Sequence, residues 1–183
     1  MTSSGYGTSY ASVSAFARTS HGWRQVFGPW PARVGYNGFA PRGSKREGDG
    51  RSPTGSFGFQ YMFGVNADPG VRFTYRRALH TSWWDDDPSS SSYNLWVDSR
   101  SGDPGHSPEP MYQLPAYRYG AVIAYNTART PGMGSAIFLH VAHTGATSGC
   151  VSLPESQLLS VLRWLDPREA PRIVMGPMSA VTH

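Results

Sequence analysis

The sequence predicts a mainly β domain that ends in one C-terminal helix. Gly (21) and Pro (15) are abundant among the 183 residues, so turns take a large share of the chain. Several stretches alternate apolar and polar residues or run briefly apolar, as strands do. Only one stretch carries helical spacing. The length fits one full-sized domain, which we place at residues 11–183 behind a flexible lead of small polar residues, 1–10.

"SVSAFAR" alternates, "GWRQVFG" is aromatic and β-branched, and "PARVGYNGF" carries an Asn-Gly turn signal. "TGSFGFQYMFG" sets Phe57, Phe59, Tyr61 and Phe63 at period two, predicting one half-buried strand. "DDDPSSSS" (85–92) and "DSRSGDPGHSPEP" (98–110) read as loops. "AYRYGAVIAYN" alternates again, and "SAIFLHV" is apolar throughout, as for a strand covered on both faces. "SLPESQLLSVLRWLDP" predicts the helix. Ser152 and Glu155 stand at capping-box spacing, Leu158, Leu159, Leu162 and Leu165 mark the apolar face, and Pro167 marks the end. "PRIVMG" supplies a last strand.

Composition is 39% hydrophobic and 13% aromatic, enough for a core. The formal charge of +4 favours anionic surfaces. The cations are dispersed, and the one cluster, "PRGSKREGDGR", also holds Glu47 and Asp49, so nucleic acid is not expected as a partner. "KREGDGRSPTG" lacks the ending of a phosphate-binding loop and reads as a charged hairpin turn. "WWDDDPSSSSYN" does not match the EF-hand spacing and reads as a solvated loop. Its aromatics, Trp84 among them, with His80 and Asn94, are candidates for a cleft rim. No stretch approaches the length of a membrane-spanning helix, and "MTSSGYGTSYAS" lacks the regions of a signal peptide.

One cysteine excludes an internal disulfide and a multi-cysteine zinc site. Cys150 lies in "FLHVAHTGATSGCVSLPE", where His140 and His143 precede it. A lone cysteine is commonly a small core residue, but Thr, Ser and Gly precede this one. A thiol attacks only as thiolate, and a nearby imidazole can take its proton. Gly149 would let a carbonyl approach the backbone, and the Gly149 and Cys150 amides could donate to an oxyanion. A helix beginning at Ser152 would favour a thiolate beside its positive end. The same residues also fit a buried structural thiol, with His140 a core histidine and His143 solvated.

"GSAIFLHV" followed by "TSGCVSLP" resembles the catalytic segment of the L,D-transpeptidase (YkuD-type) enzymes of bacterial cell-wall synthesis. "VGYNGFAPRGSKREGDGRSPTGSFGF", "WWDDDPSSSSYNLWVD" and "YGAVIAYN" resemble further segments, the latter two those of an exported actinobacterial-type branch. The match runs in family order from about Trp23 to Gly176. It implies a bent, sandwich-like fold of mixed sheets, with Cys150 as nucleophile and His140 as base. It implies a thioester with a peptidoglycan tetrapeptide stem, release of D-alanine, and a 3→3 cross-link to a second stem. Water in place of the second stem would make the enzyme an L,D-carboxypeptidase; a silent wall-binding module is the third possibility. No cofactor or metal is expected. A monomer outside the cytoplasm is expected, its export signal absent from this chain.

Two departures from the family pattern stand out. Ser148, preceded by Thr147, occupies the place of a histidine two residues before the cysteine, and the His140-to-Cys150 spacing is short. His143 therefore stays a rival base. Ser148, Thr147 and His143 are candidate substrate contacts, and a backbone carbonyl is the expected partner orienting the imidazole.

Overall fold

The computed structural model describes residues 1–100 and 108–181. The loop expected over 98–110 therefore lies largely outside the described residues. The chain opens with β1 (Thr2–Ser3) and a long hairpin of β2 (Tyr10–Thr19) and β3 (Gly22–Arg33). Strands β4 (Phe39–Ala40) and β5 (Ser52–Pro53) pair in parallel around the charged turn. Then come β6 (Gly55–Phe57), β7 (Phe59–Gly64), β8 (Tyr75–Arg77), β9 (Ser82–Asp85), β10 (Leu95–Asp98) and β11 (Glu109–Pro110). The C-terminal third holds β12 (Gly120–Ile123), β13 (Phe138–Val141), β14 (Val151–Leu153), helix α1 (Glu155–Trp164), a 3-10 turn (Pro167–Glu169), β15 (Ile173–Pro177) and the short α2 (Met178–Val181).

Ten strands form one mixed sheet in the order β6-β15-β1-β2-β3-β14-β13-β12-β7-β8. A smaller sheet orders β10-β9-β11. The fold is the mainly β, mixed-sheet, sandwich-like domain that the sequence predicts.

The centre of the large sheet explains why its strands read as apolar runs. Side chains alternate faces along a strand. Met62, Ala121, Ile123, Leu139, Val141, Val151 and Leu153 belong to a core with Leu158, Val161 and Leu162 of α1. Their sequence neighbours Phe63, Val122, Phe138 and Cys150 belong to a second core with Trp84 and Trp96 of the small sheet. Strands β7, β12, β13 and β14 are thus covered by the helix on one side and by aromatics on the other. Phe138 sits at the middle of the second core, edge-on to Phe63, Trp84 and Tyr117. Such contacts add roughly 0.5–1.5 kcal/mol per pair beyond burial.

Five expectations are corrected. Residues 1–10 are tied in rather than loose: β1 pairs with β15 and β2, Met1 is buried, and the Phe39 amide donates to Tyr6 O. The aromatic run 57–63 is two strands, because the chain leaves β15 at Gly58 and joins β12. The capping box does not form: Ser152 lies in β14, the helix begins at Glu155, and the Glu155 carboxylate pairs with Arg118 at 2.5 Å. On the helix, Val161 is buried while Leu159 is only half-buried. The "DDDPSSSS" loop is anchored rather than freely solvated, since buried Asp85 accepts from the hydroxyls of Ser90 (2.6 Å) and Ser92 (2.7 Å).

Candidate active site

Strands β13 and β14 run parallel, with Leu139 opposite Val151 and His140 opposite Ser152. One step back along the register sets Cys150 beside Phe138. Residues 138 and 140 share a face, so this pairing turns the thiol and the imidazole to the same side of the sheet. Both line one cleft of about 340 Å³.

The thiol is held at two points: the Phe138 amide donates to Sγ (3.3 Å) and the S–H donates to Ala136 O (3.0 Å). Burial, with the Glu109 carboxylate adding to it, pushes the Cys150 thiol well above its ordinary range. The His140 ring meets Tyr117 edge-on at 5.4 Å between centroids, and its Nδ1 lies 2.9 Å from Val141 O. A carbonyl only accepts, so Nδ1 carries the proton and Nε2 keeps its lone pair. Burial pushes the imidazole down to about 4. The resting pair at neutral pH is therefore S–H and neutral imidazole, and not a thiolate–imidazolium pair. The expected backbone carbonyl orienting the ring is the one belonging to Val141.

Residues 142–149 cross above the cleft between the two strands. His143, Thr147 and Ser148 all line it, and His143 and Ser148 are exposed. Thr147 Oγ1 donates to Cys150 O at 2.5 Å and accepts the Gly149 amide at 3.2 Å. Of the two amides expected to bind an oxyanion, that of Gly149 is thus engaged at rest. Gly149 has φ +150, and a Cβ there would stand 3.1 Å from Arg51 O, so the glycine is required by packing as well as by conformation. Beneath the turn, fully buried Ser52 accepts the Gly35 amide (3.0 Å) and donates to Gly149 O (2.7 Å). The helix dipole expected to favour the thiolate is displaced, because α1 starts five residues beyond Cys150, at Glu155.

Trp84 and Asn94 do not rim the cleft. Both are buried, and Trp84 Nε1 donates to Asn94 Oδ1 at 3.0 Å. Asn94 Oδ1 also accepts the Ala136 amide (3.2 Å), while Nδ2 donates to Tyr125 O (3.2 Å) and Asn126 O (3.0 Å). They brace the segment whose carbonyl receives the Cys150 S–H. Their aromatic and amide character suggested a surface; their bonding capacity is spent inside the protein.

The structure adds polar groups that sequence reasoning missed. Lys45, Glu47, Asp86, Glu109 and Tyr117 line the cleft. Lys45 donates to Asp49 at 2.8 Å; Asp49 also accepts the Arg46 and Arg51 amides, forming the charged turn the sequence predicts. Glu109 accepts from Tyr117 and Gln113, and burial raises it to about 7. Burial raises Asp86 to about 8. Asp86 sits in the aspartate run noted in the sequence, but nothing there separates it from its neighbours. Among the described residues, no group of three or more His, Cys, Asp or Glu is arranged to hold a metal ion, and no helix is long and apolar enough to cross a membrane.

Fold and cleft together define a β domain that presents one thiol and one imidazole from adjacent parallel strands. The model of the L,D-transpeptidase catalytic domain, the YkuD family, matches residues 12–174. The chain belongs to that family, which places it among enzymes of peptidoglycan. No curated protein and no solved structure matches it.

Proposed function

We propose that the chain is a cysteine-dependent L,D-transpeptidase that acts on peptidoglycan tetrapeptide stems outside the cytoplasm. The observation that carries this reading is the opening of Cys150 and His140 into one cleft, on a chain of this family. Neutral His140, with Nδ1 committed to Val141 O, offers Nε2 as the base. The thiol leaves Ala136 O, gives its proton to Nε2, and forms the S–C bond at the carbonyl of the L-centre of diaminopimelate. The C–N bond to D-alanine breaks, and the imidazolium returns the proton to the leaving amine. An amine of a second stem then attacks the thioester and releases the thiol, giving a 3→3 cross-link; water in its place gives a trimmed tripeptide.

A second reading, a silent wall-binding module, is favoured by one observation: the buried thiol is held at rest by Ala136 O and the Phe138 amide. Intact-protein mass after incubation with a diaminopimelate tetrapeptide separates the two. We expect an adduct equal to the stem minus D-alanine, absent in Cys150→Ala and His140→Ala. Folded protein that yields neither adduct nor free D-alanine is a binding module. An adduct retained in His140→Ala would transfer the base role to His143. Adding an amine acceptor then divides cross-linking from hydrolysis.

A further inference from the structure

The β2–β3 hairpin outgrows the sheet that it belongs to. β1 reaches β2 only at Ser12, and β14 reaches β3 only at Arg33. Nearer its base the hairpin packs through Phe27, which stacks on Trp30 and meets Trp164 of α1. From Phe16 to Gln25 it continues as a two-stranded ribbon with no strand on either side among the described residues. In this register Arg18 lies opposite Trp23 and Phe16 opposite Gln25. Cross-strand partners and every second residue share a face, so Phe16, Arg18, Trp23 and Gln25 form one surface. Trp23 is 71% exposed and Phe16 47%. On the opposite face, Arg24 lies across from Ala17.

Charge separates this surface from an ordinary exposed apolar patch. Glu47 is the first acidic residue of the chain, so no carboxylate accompanies Arg18 and Arg24 on the ribbon. Among the described residues neither guanidinium enters a salt bridge. A two-stranded ribbon gains little stability alone, and an exposed indole gains nothing from water. Flat aromatic faces suit the apolar faces of sugar rings, and free guanidinium groups suit carboxylates.

The geometry points to the distal β2–β3 ribbon as a docking surface, apart from the cleft, for an anionic glycan polymer laid along its Phe16–Arg18–Trp23 face. Identifying that polymer as carboxylate-bearing peptidoglycan rests on the function proposed above. A lipid surface fits less well. A hairpin that enters a bilayer carries apolar side chains at its tip, whereas this tip is Ser20–His21. It is closed by Thr19 Oγ1, which donates to Gly22 O (2.8 Å) and accepts the His21 amide (3.2 Å).

Co-sedimentation of the full chain with insoluble peptidoglycan tests this, beside vesicles of anionic phospholipid and beside stem acylation measured with a short soluble tetrapeptide. Trp23→Ala with Arg18→Gln is expected to weaken peptidoglycan binding about tenfold, as loss of aromatic and arginine anchors does. Trp23→Tyr should retain most of the binding, added salt should weaken it, and Tm and soluble-stem acylation should not move. Equal binding by the double variant and wild type overturns the proposal, as does ribbon-dependent binding to vesicles alone. If wild type fails to acylate yet binds peptidoglycan through the ribbon, the docking surface stands and the enzymatic reading falls.

Discussion

At Cys150 the environment opposes the charge that the chemistry requires. The sulfur donates to Ala136 O and accepts from Phe138 N–H inside an aromatic core, with the Glu109 carboxylate contributing to its raised affinity for a proton. Alkylation by iodoacetamide at pH 7–8 should therefore run more than about tenfold slower than for an exposed cysteine. Rapid labelling at neutral pH would mean that the thiol does not rest on Ala136 O. The His140–Val141 contact was legible in outline, because a histidine at the end of a buried strand has backbone within reach. The neutral state of the thiol was not. It follows from Glu109 and from the small sheet over the cysteine, both distant in sequence.

At the scale of elements, the cleft is held by short segments clipped to one another. Asn94, at φ +58, binds the 125–126 turn through Nδ2 and the Ala136 amide through Oδ1. Glycine tolerates that backbone, so Asn94→Gly removes the side chain without strain. Buried polar groups left unpaired in this way cost on the order of 1–3 kcal/mol. We expect a lower Tm by thermal melt, together with a lower acylation rate, because Ala136 loses its support. An unchanged melt would show that the carboxamide bonds contribute nothing net. The strands around this clip were readable from alternation and apolar runs. The clip was not, since a polar residue between aromatics looks alike whether it faces solvent or bridges three chain segments. The misplaced capping box has the same origin: Ser152 satisfies the local pattern, but pairing with β13 holds it in a strand.

Across the whole molecule, proton binding ties the cleft to stability. Burial raises Asp86 from 3.8 to about 8, so between those values the folded chain keeps a proton that the unfolded chain has released. Its favourable contribution is thus present below pH 4 and lost as pH rises towards 8. His140 acts in the opposite sense. Lowered from 6.5 to about 4, it contributes stability that is lost as pH falls through that window. Replacing Asp86 by Asn removes that carboxyl's share of the pH dependence. The stability of Asp86→Asn relative to wild type should climb steadily from pH 4 to pH 8, by up to about 5 kcal/mol, and its relative Tm should climb with it. A difference independent of pH would place that carboxylate in contact with water. Melts at matched ionic strength decide it.

The parallel pairing of β13 with β14 carries a consequence for how this catalytic pair tolerates insertion. The thiol and the imidazole owe their common orientation to strand register, and the number of residues between them enters nowhere in that geometry. The crossover 142–149 has to span only from one strand end to the start of its neighbour, and extended chain covers about 3.3–3.6 Å per residue. Eight residues reach well beyond that gap, so the crossover has slack and can lengthen without pulling on either strand. Residues 142–149 are thus the roof of the cleft, and the register of the two strands sets its floor. Two glycines inserted after Gly145 should leave acylation of Cys150 by a soluble stem within about threefold of wild type, since loop closure costs grow slowly with length. Under the proposed function, partition between amine and water as acceptor should shift instead, because His143, Thr147 and Ser148 of the crossover line the cleft. Loss of acylation in a folded insertion variant would show that the crossover itself holds the pair in place.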